Sequence, residues 1–326
     1  MRVRPLHFFA FILATATLHV YILLHHSHAV TELPDWSPNT LRNIAYYIDL
    51  HVENLPLRFC QYNTTLLILV HSRPSSRSAR QAIRATWGNS TLLTIHNTSL
   101  FFLLGQTRNS SLAEDVAAEN AHHGDIIVES FVDSYSNLTL KSVSMLKLFS
   151  HEPNHCRFLL KVDEDIFVNV ESLGKWLASK SSTTSVLLGR VIKGERRQND
   201  VRERWYAPKY MFLGHTYPDF LAGPAYLMSR GVAQKLYRVV FTVPIFHLED
   251  VFLTGICARK ANISLTSSKY FTDYSIPHKK CLLIELYTVH SFTPKKLLEV
   301  HTLYQRLKLT CYKLRKNNRF LPKRLN

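Results

Sequence analysis

Apolar residues crowd the first part of the chain without any period. Leu6 to Leu24, "LHFFAFILATATLHVYILL", runs 19 residues with no Asp, Glu, Lys or Arg. At about 1.5 Å rise per residue, a helix of that length nearly crosses a hydrocarbon core of about 30 Å. Residues 25–62 carry no strong periodicity and read as a stem. From Thr64 onward, short apolar runs alternate with segments at helical spacing. "TLLILVHS", "LFFLLG", "DIIVES" and "RFLLKV" are strand-like, whereas "QAIRATW", "SLAEDVAAENAHH", "NLTLKSVSMLKLF" and "ESLGKWLASK" read as helices. Ser111 with Glu114 forms a capping box for the second helix, and Asn137 is an N-cap for the third. Strands alternating with helices predict a mainly parallel α/β sheet in one domain, residues 63–326. The second half is less regular. "RERWYAPKYMFLGHTYPDFLAGPAYLMS" is dense in aromatics, Pro and Gly, and no repeat interrupts the chain.

The opening segment sets the compartment. Arg2 and Arg4 precede the apolar run. The positive-inside rule then leaves residues 1–5 cytoplasmic, 6–24 as a transmembrane signal-anchor and the rest luminal. A signal peptide cleaved after "SHA", before Val30, is the alternative. Signal h-regions are shorter, which favours the anchor, and both routes send the body into the secretory lumen. Six Asn-x-Ser/Thr sequons, opening at Asn63, Asn89, Asn97, Asn109, Asn137 and Asn262, fit that compartment. The five cysteines (Cys60, Cys156, Cys257, Cys281, Cys311) all follow the anchor, where disulfides persist. At most two bridges form and one thiol is left over; spacing does not give the pairing. The formal net charge of +16 calls for anionic partners. A luminal body excludes nucleic acid from among them. From Lys295 onward ten Lys or Arg accompany one acid, Glu299, a basic tail suited to acidic glycans or a membrane surface.

Charge in the wrong place marks the candidate site. "FLLKVDEDIFVNV", Phe158 to Val170, sets Asp163, Glu164 and Asp165 inside an apolar, β-prone run. In an open α/β sheet, ligands bind beyond the carboxyl ends of the strands. "RFLLKV" ends at Asp163, which puts the acids at that rim. Clustered carboxylates there bind a hard divalent cation, which offsets their repulsion and can hold a diphosphate. An isolated D-x-D also occurs in surface turns. The buried-type flanks and the luminal setting favour the metal reading.

Seven segments in order complete the pattern: "RQAIRATWG" (80–88), "FFLLG", "GDIIVESFVDSYSNLTLK" (124–141), "KVDEDIFVN", "YPDFLAGPAYLMS", "PIFHLEDVFLTG" and "VHSFTP". Together they resemble the Golgi β-1,3-galactosyltransferase and β-1,3-N-acetylglucosaminyltransferase family, glycosyltransferase family 31, over roughly Thr64 to His290. Two positions depart from the family pattern. Glu164 replaces a central Asp, and Pro224 with Ala225 replaces the usual small residues after Gly223.

The resemblance implies a GT-A-type nucleotide-sugar-binding fold, a single catalytic domain behind the anchor, and an inverting transfer. It implies Asp165 as first metal ligand, with Asp163 and His290, for a divalent cation such as Mn2+. It implies Asp250 as the base, with Glu249 as the fallback; acids here also suit a helix start. Donor contacts fall to Arg77, Arg80, Arg84, Asp133, Lys141, Asp163 and Glu164, although Arg80 and Arg84 share a helix face and one of them suits a structural ion pair. Trp205, Tyr206, Tyr217, Gly223 and Tyr226 are candidates for the sugar or acceptor pocket. The implied reaction moves galactose from UDP-galactose to a terminal GlcNAc- or GalNAc-type sugar of a glycoprotein or glycolipid, in the Golgi membrane. A UDP-GlcNAc-dependent enzyme, or a non-catalytic luminal glycan-binding protein of the same fold, are the alternatives.

Overall fold

Leu66–His71 are six residues buried on both faces, and they form strand β1 in the interior of a seven-stranded sheet. A strand covered on both sides needs an unbroken apolar run, which "LLILVH" nearly supplies. Strands β2 (Thr98–Gln106) and β4 (Phe158–Asp163) flank it in parallel, with Leu66 opposite both Thr98 and Phe158. Strand β3 (Ile126–Val132) lies outside β2. Beyond β4 come β7 (Phe220–Ser229), β6 (Leu187–Ile192) and the short β8 (Thr266–Ser267), giving the order β3-β2-β1-β4-β7-β6-β8. β7 runs antiparallel to both its neighbours, so the sheet is mixed but parallel-rich. Pro224 sits in β7 just past its pairing with β4 and opposite the register shift in β6, where a missing N–H costs no ladder bond.

This computed structural model describes residues 59–60, 64–151, 156–181, 183–272 and 280–316. The anchor, most of the stem and Asn63 lie outside the described residues. Among the described residues no helix is long and apolar enough to cross a membrane. Phe59 and Cys60, placed in the stem by sequence, belong to the core. Phe59 meets Phe101 edge-on at 5.4 Å, and Cys60 is bonded to Cys156.

Helices cover both faces of the sheet. On one, α4 (Leu138–His151), α6 (Arg230–Val239) and a π-helical segment, Val251–Cys257, close over Leu67, Leu69, Leu159 and Met228. On the other, α1 (Arg77–Ala85), α3 (Ser110–His123), α5 (Val170–Ala178) and the long α7 (Pro294–Lys316) cover Leu66, Ile68, Val70 and Leu160. The short α2 (Ser90–Ile95) precedes β2. Two helix starts differ from expectation. Asn109, not Ser111, caps α3 by accepting from Leu112 N at 3.1 Å. Asn137 ends a 3-10 turn and donates to Val132 O at 2.8 Å instead of accepting as a cap, because the Tyr135–Asn137 turn runs straight into α4. A second bridge, Cys281–Cys311, ties α7 to the segment before the strand β9 (Thr288–Val289), and Cys257 is a buried thiol.

Candidate active site

The chain leaves β1 toward β2 on one side, and β4 lies on the other. That makes the ends of β1 and β4 a topological switch point, where a crevice opens. The residues after β1, "SRPSS", are held from three directions. Glu164 accepts from Ser72 Oγ and Ser76 Oγ at 2.7 Å each, from Arg73 N at 3.1 Å and from Arg73 Nε at 3.0 Å. From below, the fully buried Arg80 donates to Ser72 Oγ, Arg73 O and Pro74 O while pairing both ways with Glu119. From the α4 side, Lys141 Nζ reaches Ser72 O at 2.8 Å and Asp133 at 2.7 Å. Asp133 also accepts from Gly105 N. A loop fixed this way presents backbone to a ligand with little left to order on binding.

The residues expected to hold a metal meet at a two-stranded ribbon. β5 (Phe167–Val168) pairs antiparallel with β9, and Phe292 N donates to Asp165 O at 3.0 Å. This brings His290 Nε2 to 3.2 Å from Asp165 Oδ2. Both side chains are partly open to solvent. Among the described residues no three Asp, Glu, His or Cys side chains form a ready metal cluster. Asp163 Oδ1 is instead drawn to Lys161 Nζ at 2.6 Å. A carboxylate and an imidazole 3.2 Å apart, with a second carboxylate at the adjacent strand end, is a donor set suited to a borderline divalent cation.

The surroundings of Glu249 and Asp250 start from Lys161, fully buried on β4. Its ammonium bonds Asp163, Gly223 O at 2.6 Å and Glu249 Oε1 at 3.1 Å. Glu249 Oε2 takes Ser142 Oγ at 2.8 Å and Tyr226 OH at 3.0 Å, so this carboxylate is saturated inside the protein. Its neighbour Asp250 begins the π-helical segment. Asp250 Oδ1 accepts from Val251 N at 2.8 Å and Oδ2 from Gly223 N at 3.1 Å. Burial first, and the charge of Glu249 second, push the Asp250 carboxyl up to about 7. A carboxylate held at fixed geometry with a pKa near neutrality is what a general base needs. π-Helical turns cluster at functional sites.

Comparison with known proteins now decides the family. A galactosyltransferase family model matches residues 78–269. Beta-1,3-galactosyltransferase 1 of Mus musculus is 33% identical over 241 residues, 73% of each chain. Beta-1,3-galactosyltransferase 5 of Homo sapiens is 32% identical over 267 residues, 81% of this chain and 86% of that one. This chain belongs to the galactosyltransferase family. It is a hexosyltransferase. Likeness to solved structures is weak: the galactosyltransferase LgtC, in complex with donor and acceptor sugar analogs, covers 75% of this chain at a TM-score of 0.37 and 11% identity, too little to bear on the fold.

Several residues expected to touch sugar or nucleotide are engaged elsewhere in this chain. Arg80 uses all five N–H donors on the protein, and Arg84 clamps Glu119 and Asp125 at 2.7–2.8 Å. Both arginines are therefore structural, not one of the two. Glu164 and Lys141 bond the Ser72–Ser76 loop, and Asp133 bonds Lys141 and Gly105 N. Tyr226 is fully buried under Glu249 and Lys161, and Tyr217 packs among Phe212, Phe220 and Phe246. Tyr206 is half-buried, its carbonyl 2.9 Å from His247 Nε2. Arg77 remains exposed at the start of α1, and Trp205 is 60% exposed. Gly223 packs closely: a Cβ there would lie 3.0 Å from Asp250 Oδ2, so the carboxylate would have to give by a few tenths of an ångström.

Three residues of the site escaped sequence reasoning. Lys161 joins Asp163 to Glu249; its signal was a lysine in an apolar run two residues before Asp163. Tyr135, half-buried, lies under the Arg204 guanidinium, 4.7 Å from the ring centre, on the side facing Asp250. His71, at the end of β1, has neither ring nitrogen hydrogen-bonded; burial, then Lys161 and Lys141, hold it neutral.

Proposed function

We propose that the chain is an inverting β-1,3-galactosyltransferase of GT-A type, using UDP-galactose and a terminal GlcNAc- or GalNAc-type acceptor. Asp250 carries the reading. Its carboxylate takes the proton of the acceptor hydroxyl as the hydroxyl oxygen bonds to C1 of galactose. The C1–O bond to the diphosphate breaks with its electron pair going to UDP. Asp165, His290 and Asp163 are the residues that would hold a divalent cation. That cation, when bound, would neutralise charge on the leaving diphosphate. The Ser72–Ser76 backbone, Arg77 and the rim of α1 would receive the nucleotide. Trp205, open to solvent next to Arg204, offers a face for the acceptor ring. The names of the relatives support galactose as the sugar transferred and a β-1,3 bond as the product. The apolar run at residues 6–24 supports a type II Golgi membrane location. The basic α7 offers a secondary contact for acidic glycans.

The test is the product. With UDP-galactose, Mn2+ and a GlcNAc-terminated acceptor, one new galactose should appear with a β-anomeric proton coupling, attached at the 3-position. An α-linked product would overturn inversion. Transfer of GlcNAc but not galactose would replace the donor.

A further inference from the structure

A groove of about 400 Å³ opens where β6 and β7 leave the sheet, walled on one side by Thr254 and Gly255 of the segment that begins with Asp250. Its surface mixes apolar Val191, Pro218, Ile263 and Leu265 with Lys193, Asp219 and Arg259. Lys193 and Asp219 lie 3.9 Å apart and offset each other, which leaves Arg259 as the one unbalanced charge among the described residues of a lining suited to a ligand with both apolar and hydroxyl-bearing faces. Asn262 stands in its wall and opens the sequon Asn262-Ile263-Ser264. Asn262 is exposed and left-handed, with φ 53°, held by Asn262 N to Arg259 O and Ile263 N to Ala258 O at 3.1 and 2.9 Å. That conformation is fixed, so the side chain leaves the backbone in one direction. The exposed sequon residues Asn89 and Asn109 are helix caps and do not border this groove.

We propose that Asn262 carries an N-linked glycan whose first N-acetylglucosamine residues lie in this groove, as part of the folded structure. A sugar tethered at the groove wall needs only weak contacts, because docking is intramolecular. N-acetylglucosamine matches the lining: its methyl and C–H faces against Val191, Pro218 and Leu265, its hydroxyls toward Asp219, Lys193 and Arg259. The docked sugar braces the groove wall. Thr254 Oγ1 in the groove wall donates to Asp250 O at 2.6 Å and accepts from Leu221 N at 2.8 Å. The inference needs a luminal body but not the donor assigned above.

Full chain from a secretory host tests it. Glycopeptide mass spectrometry reads occupancy at each sequon. A time course with an endoglycosidase on the native protein then reads protection. Asn262 should be occupied, and its glycan released about tenfold more slowly than those at Asn89 and Asn109 if it is docked nine-tenths of the time, since the glycosidase acts on the undocked fraction. Asp219→Ala with Leu265→Ala should bring the rate to that of Asn89, and denaturation should equalise all sites. Ser264→Ala should melt below Ser264→Thr, which keeps the sequon; both keep the Asn262 turn. An unmodified Asn262, or release as fast as at Asn89, overturns the docked glycan. Equal melting of the two Ser264 variants overturns the bracing.

Discussion

At the scale of single residues, two adjacent acids are held in different ways. Glu249 is tied to Lys161, Ser142 and Tyr226, and Asp250 keeps its carboxylate at the crevice on two backbone N–H groups. Asp250→Asn should lower kcat by about 10²–10⁴-fold, the usual range for removing a general base, with UDP binding retained by calorimetry. The raised pKa fixes the sign of the pH dependence. Asp250 accepts a proton only when ionised, so kcat/KM should fall as pH drops below about 7. Glu249→Gln removes the neighbouring negative charge and should move that limb to lower pH; an unmoved limb would mean another group controls it. Gly223→Ala pushes a methyl onto Asp250 Oδ2 and should cost about tenfold in kcat with little change in donor KM, since displacements of a fraction of an ångström matter at this bond. The sequence exposed Asp250 and Glu249 as a pair but not their roles, which depend on what Lys161 and Gly223 reach across the sheet. It named Arg80 and Arg84 by type and spacing, which cannot show that Glu119 waits on a helix about forty residues away.

At the scale of elements, the strongest local order surrounds the loop after β1. Hydrogen bonds to a charged group are worth about 1.5–3 kcal/mol each, and Glu164 makes four to this loop. Glu164→Ala should therefore raise the donor KM about tenfold or more while kcat falls less, as steady-state kinetics would show. Parallel strands β1 to β4 and helices α1, α3, α4 and α5 were legible because apolar runs and helical spacing are local signals. β6 and β7 were not, since β7 contains Gly and Pro and is read as a strand only once β4 and β6 flank it. The ribbon of β5 and β9 was equally hidden: two-residue strands carry no period, yet they place His290.

At the scale of the molecule, charge and covalent ties shape the rest. Lys161 joins both halves of the site from inside the sheet. Removing one partner from such a buried charge cluster costs about 3–5 kcal/mol, so Lys161→Met should unfold at clearly lower denaturant than the parent chain. The Cys281–Cys311 bridge closes a separation of 30 residues and should contribute roughly 3–4 kcal/mol by restricting the unfolded chain. Cysteine counting gave two bridges and one thiol but could not choose Cys257 as the thiol.

The most direct test of the whole assignment is UDP release by the purified chain with Mn2+, UDP-galactose and a GlcNAc-terminated acceptor, beside Asp250→Asn. Acceptor-dependent release in the parent chain, lost in the variant, is the expected result. Folded protein that releases no UDP from UDP-galactose in response to acceptor, or a variant as fast as the parent, would contradict it.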